Sequence, residues 1–266
     1  MRMTYRATMS DMPIDRTTIT KEELGELEAE ELPVPVTILD ASCSDEEIES
    51  VMDTLSRAAV LGLDTETKPS FHKGEGNKVS ILQLSDHERS VIIKLLTFDG
   101  KEDKASRLAP VARVLADDKT LLVGVSIHDD ALGLRKDHGL ECHQVLELQL
   151  AAKAAGLKVF SLSKLYALLY DKRISKSQRL SNWESERLSE AQTNYAALDA
   201  YAGLLIYDGL KDFVKPSMIE KKVGPTVRTP KPKKKETTAR TRKRRVKAKV
   251  RGAKVKSKTT DKQLSS

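Results

Sequence analysis

Three apolar runs of strand length follow one another in the middle of the chain: VLGLDTE at 60–66, KVSILQLS at 78–85 and RSVIIKLL at 89–96. A Pro- and Gly-containing loop separates the first two, and a short SDHE turn separates the last two. Strand-length runs so punctuated read as an antiparallel meander. The rhythm then changes. SRLAPVARVLADD reads as helix, LLVGVSI as strand, DDALGLRKDHG as a helix ended by Gly139, and CHQVLELQL as strand. SLSKLYALLY, with Ser161 as its cap, and SEAQTNYAALDAYAGLLIYDGL read as helices. Ahead of the meander, PVTILD has strand character, and DEEIESVMDTLSRAA spaces Ile48, Val51, Met52, Leu55 and Ala58 three and four apart, as an amphipathic helix does. Hairpin strands followed by strands alternating with helices define the fold class: α/β, a mixed sheet flanked by helices.

That pattern occupies residues 35–213, and the flanks differ from it. The chain is 39% hydrophobic and 32% charged, against roughly 45–50% and about 25% for an ordinary globular domain, so part of it lies outside a packed core. Residues 215–266 hold 20 Lys/Arg and 3 Asp/Glu, while residues 1–214 hold 26 and 36, so a net +17 follows a net −10. Runs such as KPKKK and RTRKRRVKAKVR show no apolar periodicity and bury too little to offset the entropy of ordering. We therefore read 214–266 as a disordered basic tail, suited to a polyanionic partner or simply solubilising. Residues 1–34 form an acidic N-terminal extension, partly disordered or carrying a short helix, in which Thr20 can cap a turn containing Glu22 and Glu23. Two cysteines, Cys43 and Cys142, without CxxC spacing, exclude a disulfide-rich scaffold and a zinc ribbon. The start has no apolar h-region and no stretch approaches the roughly 20 apolar residues of a membrane span, so a protein that is neither secreted nor transmembrane is expected.

Three constellations can carry chemistry. Asp64-Thr65-Glu66 ends an apolar run, and residues two apart on a strand share a face, so two carboxylates converge at the sheet edge. Two such charges are costly unless a cation neutralises them, which favours a hard divalent metal. Tyr195 and Asp199 lie four apart on a helix and present together. His128-Asp129-Asp130 follows the strand LLVGVSI, where an acidic pair also makes good N-capping chemistry. Taken singly, each is better read as local structure: a polar strand end, a packed Tyr beside a solvated Asp, a cap. Together they bring four carboxylates to one sheet edge in a fixed order, which is what a two-metal centre for phosphodiester chemistry requires. The five histidines lack HxxxH or HExxH spacing, so a His-liganded zinc site is not expected.

In LGLDTETKPSF with KVSILQLS, in LLVGVSIHDDALGL, and in QTNYAALDAYAGLLIY, the chain resembles the DEDD superfamily of 3′–5′ exonucleases. The resemblance is to the Tyr-bearing subclass, with its Werner-type and ribonuclease D-like domains, and covers about residues 35–213; the block RISKSQRLSNWESERLSEAQ is similar to the family's segment before its last helix. It implies a ribonuclease H-like fold and two divalent ions, Mg²⁺ or Mn²⁺. Asp64 and Glu66 would ligate the ions, with Asp64 bridging both, Asp199 would complete the first site, and Asp130 would hold the second ion through its shell. Asp130 falls six residues after Gly124, as the family pattern requires, with Asp129 as the fallback. Tyr195 would orient a water rather than deprotonate it, because a phenol with a pKa near 10 is a poor base at neutral pH. The implied activity is metal-dependent release of nucleoside 5′-monophosphates from DNA or RNA 3′ ends.

Further contacts follow from the same resemblance. Phe71 would stack on a terminal base or anchor its loop, and Lys176, Arg179 and Arg187 would meet phosphates or form a solvated face. Trp183 reads as structural. Glu147 stands where many relatives carry Asp, and the helical accessory domain of ribonuclease D has no counterpart after residue 213, so the tail would supply the grip on nucleic acid, salt-dependently. The body, similar to stand-alone bacterial members, points to the cytoplasm; such a tail in a eukaryote would point to the nucleus. Two other readings stand beside the exonuclease: a nucleic-acid-binding adaptor on an exonuclease-like scaffold, and a short-oligonucleotide hydrolase.

Overall fold

The computed structural model describes residues 16–70 and 76–224. Among these, seven strands form one mixed sheet: β1 (Val36–Leu39), β2 (Val60–Thr67), β3 (Val79–Ser85), β4 (Ser90–Ile93), β5 (Leu121–Gly124), β6 (His143–Glu147) and β7 (Ile219–Lys222). Their order is β1-β4-β3-β2-β5-β6-β7. The three runs of the meander are antiparallel neighbours, β2 with β3 and β3 with β4. β1 runs parallel to β4, β5 to β2, and β6 to β5. Parallel neighbours need a crossover, and the helical segments supply it: α3 (Lys104–Arg107) and α4 (Ala109–Leu115) before β5, and α5 (Ile127–His138) before β6.

Side-chain alternation gives each face of the sheet its own partner. Leu61 and Leu63 of β2, Leu82 and Leu84 of β3, and Val91 and Ile93 of β4 pack in one cluster with Ile48, Met52 and Leu55 of α2 (Asp45–Leu55), with α4 and with α5. Ser44 starts α2 with a reciprocal cap: Glu47 N–H donates to Ser44 Oγ at 3.2 Å and Ser44 N–H to Glu47 Oε2 at 2.7 Å. The other face carries α8 (Glu190–Leu210), whose small residues Ala196, Ala197, Ala200, Ala202 and Gly203 let it lie close to the strands. Gly62 of β2 is where that approach is tightest. A Cβ there would stand 2.0 Å from the carbonyl oxygen of Ala200 and 2.9 Å from its carbon, so backbone would have to move. Gly62→Ala is accordingly expected to lower the urea-denaturation free energy by about 1–3 kcal/mol, the cost of overpacking a tight interface. An unchanged midpoint would mean that α8 can retreat from the sheet freely.

Three boundaries differ from the sequence reading, the third being that of the tail. Strand β6 ends at Glu147 and the chain turns into α6 (Leu148–Ala154), since Leu148, Ala151 and Ala152 bury one helical face. Helix α5 begins at Ile127 rather than at the acidic pair. Ser126 adopts a left-handed conformation, φ 65°, that turns the chain sharply out of β5, and this draws His128, Asp129 and Asp130 into the first helical turn. In the N-terminal segment the short helix is the reading that holds: α1 (Lys21–Glu26) forms with Thr20 in a capping box. Beyond it, Tyr166 Oη donates to Glu30 Oε2 at 2.7 Å, and Ala29 bridges Arg173. Tyr166 belongs to α7 (Leu162–Tyr170), so residues after 16 are tied onto the body.

The boundary placed at 213/214 needs correction as well. Residues 219–222 form β7, antiparallel to β6, with Ile219 opposite Leu146 and Glu220 opposite Val145. The segment is basic in composition, but an open strand edge supplies backbone partners that composition cannot register. The Lys- and Arg-rich runs from residue 225 onward lie outside the described residues. Among the described residues, no helix is long and apolar enough to cross a membrane.

Candidate active site

Asp64 and Glu66 share the face of β2 that carries Gly62, and that face lies under α8. Helix α8 starts at Ser189, which is capped reciprocally with Gln192, and this sets the phase that turns Asp199 toward β2. One carboxylate oxygen from each of Asp64, Glu66 and Asp199 lies within 4.8 Å of the others. Asp199 is 7% exposed. Tyr195, one turn earlier on α8, hydrogen-bonds Asp199 and packs its ring 5.9 Å from that of the buried Trp183. Asp64, Glu66, Tyr195 and Asp199 line a cavity of about 220 Å³ together with Leu63, Thr65, Gly124, Val125 and Leu162.

Asp130 stands apart from this trio. It approaches from the N-terminal turn of α5, where its Oδ1 accepts a 2.5 Å hydrogen bond from Thr65 Oγ1. Thr65 lies between the two motif carboxylates and points to the opposite face. Asp129, one residue earlier, is exposed. Glu147 accepts hydrogen bonds from the backbone N–H groups of Ser126 and Gln149, each at 3.1 Å, and so braces the turn that delivers Asp130. Thr65 was missed as a participant. Its position between Asp64 and Glu66 was a signal, because a hydroxyl at the centre of a DxE triplet must face away from both carboxylates.

The electrostatics follow from burial and crowding. Desolvation first, and then the charge of Asp199, push the Asp64 carboxyl well above the ordinary carboxylate range. Burial, with Asp64, Asp199 and Asp130 nearby, raises Glu66 to about 9. Burial raises Asp199 to about 7 against the opposing hydrogen bond from Tyr195 and the charge of Lys176. Asp130 is raised too, by burial and by Asp64. Burial, Asp199 and Glu66 keep the Tyr195 phenol protonated far above neutral pH. Lys176 and Arg179 are exposed yet close enough to act on Asp199 and Glu66, each favouring its ionised form. Lys68, just after the motif, forms a 2.7 Å ion pair with Glu184 on the far side of the segment that carries them. Phe71 lies outside the described residues.

An all-oxygen donor set whose crowded carboxyls are raised by burial suits a hard divalent cation. Fold and donor set thus define the class: an α/β protein with a cluster of three carboxylates, suited to a cation, on its mixed sheet. Comparison with known sequences then gives the family, since the sequence model described as 3′–5′ exonuclease matches residues 41–215, and the chain belongs to that family. An Arabidopsis thaliana protein named 3′–5′ exonuclease is 34% identical over 171 residues, spanning 61% of this chain and 57% of the relative. The mouse bifunctional 3′–5′ exonuclease/ATP-dependent helicase WRN is 30% identical over 167 residues, spanning 61% of this chain and 12% of that protein. The matched region is therefore well under two-thirds of either relative's length.

Solved structures agree on the fold. The Nibbler EXO domain of Aedes aegypti superposes with a TM-score of 0.59 at 23% identity, covering 70% of this chain and 92% of that one. Ribonuclease D of Escherichia coli gives 0.58 at 18%, covering 67% and 44%. The expected mixed sheet flanked by helices is thus the fold of ribonuclease D-like exonuclease domains.

Proposed function

We propose that the protein is a divalent-cation-dependent 3′–5′ exonuclease acting on DNA or RNA ends and releasing nucleoside 5′-monophosphates. The observation that carries this reading is the convergence of Asp64, Glu66 and Asp199 within 4.8 Å on a chain of this family. These three would hold one Mg²⁺ or Mn²⁺ ion, and Asp64 with Asp130 would serve a second. Divalent ions so held supply the Lewis acidity that makes water nucleophilic near neutral pH and the charge that a departing 3′ oxygen needs.

The remaining roles belong to the chain's own groups. Tyr195 stays protonated, so it acts as a hydrogen-bond donor that orients a water or phosphate oxygen and does not accept a proton. Asp199 accepts the Tyr195 hydrogen bond and thereby keeps the phenol in one rotamer at the cavity wall. Lys176 and Arg179, exposed beside the carboxylates, are suited to the phosphates of the strand being shortened, and Thr65 holds Asp130 at the rim. The basic segment from 225 would add a sequence-independent, salt-sensitive grip on the rest of the nucleic acid.

The test is a time course on 5′-labelled single-stranded and recessed-end oligonucleotides, DNA and RNA in parallel, with Mg²⁺, Mn²⁺ or chelator. Wild type is expected to yield a ladder shortening from the 3′ end that needs the cation and vanishes in Asp199→Ala. Intact oligonucleotides with salt-sensitive binding that survives in the variant would leave a binding adaptor instead. Turnover of dinucleotides alone would leave a short-oligonucleotide hydrolase.

A further inference from the structure

Gln83, on the α8 face of the meander, is fully buried at 0% exposure, and neither its Oε1 nor its Nε2 has a hydrogen-bond partner among the described residues. A buried amide left unpaired is costly, and an aliphatic side chain would fill the same space without that cost. Its address is specific. In the β2–β3 register Gln83 lies directly opposite Asp64, and in the β3–β4 register directly opposite Ile92. Residues directly opposed across antiparallel strands point to the same face with Cβ atoms about 4.5–5.5 Å apart. Gln83 therefore stands between an apolar neighbour, Ile92, and Asp64 of the acidic trio.

The surroundings narrow the choice of partner. Ile81, Ile92, Ala196 and Ala197 form a hydrophobic cluster on this face with no acceptor among their side chains, while the nearby polar groups are already engaged: the Ser85 and Ser90 hydroxyls bond each other at 2.7 Å, and the Tyr195 phenol bonds Asp199. The buried indole N–H of Trp183, also unpartnered, belongs to the same cluster and is a donor, which suits the amide oxygen but not the amide nitrogen. For the nitrogen, the side-chain acceptor in register is the Asp64 carboxylate.

We infer that Gln83 is a positioning residue for Asp64: its amide N–H donates to the Asp64 carboxylate when a divalent cation is bound, fixing the carboxylate's orientation toward the ion. This rests on the cation-binding reading of the trio. Partners of metal ligands that act in this way contribute about 10- to 100-fold to metal affinity when removed.

Mn²⁺ titration calorimetry on the full chain tests it, with Gln83→Met and Gln83→Leu as the variants, because both fill the space without an amide. Each is expected to bind Mn²⁺ at least about 10-fold more weakly than wild type while its metal-free denaturation midpoint stays the same or rises. A purely structural Gln83 predicts the reverse, a lowered midpoint with affinity within about twofold of wild type, and that result overturns the inference. Should both variants fail to fold, the side-chain NH₂ resonance of Gln83 in the wild-type protein decides. A shift and slowed exchange on adding Mg²⁺ supports the hydrogen bond, and an unchanged resonance refutes it. Asp64→Ala serves as the separate control. If it leaves Mn²⁺ affinity intact, the cation site itself is misassigned; if it abolishes binding while Gln83→Met does not weaken it, only the role of Gln83 falls.

Discussion

Asp64→Asn is expected to abolish cation-dependent hydrolysis and, at the same time, to make the metal-free protein more stable. The loss should be on the order of 10³-fold or greater, because Asp64 is shared by both proposed ion positions and no other carboxylate on β2 can take its place. The gain comes from the same geometry. Asp64, Glu66 and Asp199 are crowded within 4.8 Å; burial raises all three above their ordinary range, and repulsion from neighbouring carboxylates adds to it at Asp64 and Glu66. An amide of the same shape removes one charge and adds an N–H donor that Glu66 or Asp199 can accept. Relief equivalent to one pKa unit on a neighbouring group amounts to about 1.4 kcal/mol. Thermal denaturation near pH 8 in chelator, beside the oligonucleotide assay, measures both effects. A variant that is inactive and less stable than wild type would show that Asp64 supports the fold rather than opposing it.

The second large effect is a fall in stability with rising pH that bound metal removes. Without metal, Asp199 holds its proton up to about pH 7 and Glu66 up to about 9, whereas both titrate near 4 in an unfolded chain. Between those limits the native state binds more protons than the unfolded state, so stability must fall as pH rises. The contribution is fully present below about pH 4 and is lost as pH passes through 7 and then 9. For Asp199, which is almost wholly buried, this amounts to a few kcal/mol. Saturating Mg²⁺ or Mn²⁺ displaces those protons and holds the ligands as anions, so above about pH 5 native and unfolded states bind equally few protons at these groups and the fall in stability with pH should disappear. Denaturation midpoints from about pH 5 to 9, with chelator and with cation, test the sign directly. Parallel curves would show that the trio does not hold the ion.

Most of the element order was legible in the sequence because it rests on short-range periodicity. The strand character of KVSILQLS, the spacing of Ile48, Met52 and Leu55, and the cap at Thr20 each lie within one element and each appears in the structure. The motif residues were legible for the same reason, since DxE on a strand and YxxxD on a helix each set a shared face locally. Illegible features were long-range in kind. The pairing of β7 with β6, the docking of residues 16–34 on α7, and the Thr65 to Asp130 hydrogen bond join residues far apart in the chain, and no local pattern announces them.

Sequence alone thus determined which carboxylates the chain possesses, which element carries each, and which face of that element each occupies, because a strand repeats every two residues and a helix every 3.6. Tertiary structure decided which of them meet. Gly62 lets the backbone of α8 come close enough to β2 for Asp199 to join Asp64 and Glu66, while Thr65 holds Asp130 at the edge of the group on the other face. It also set Gln83, an unremarked letter in a strand-like run, directly opposite Asp64. Distances between layers and register between strands are properties of the packed sheet, so only the packed sheet could supply them.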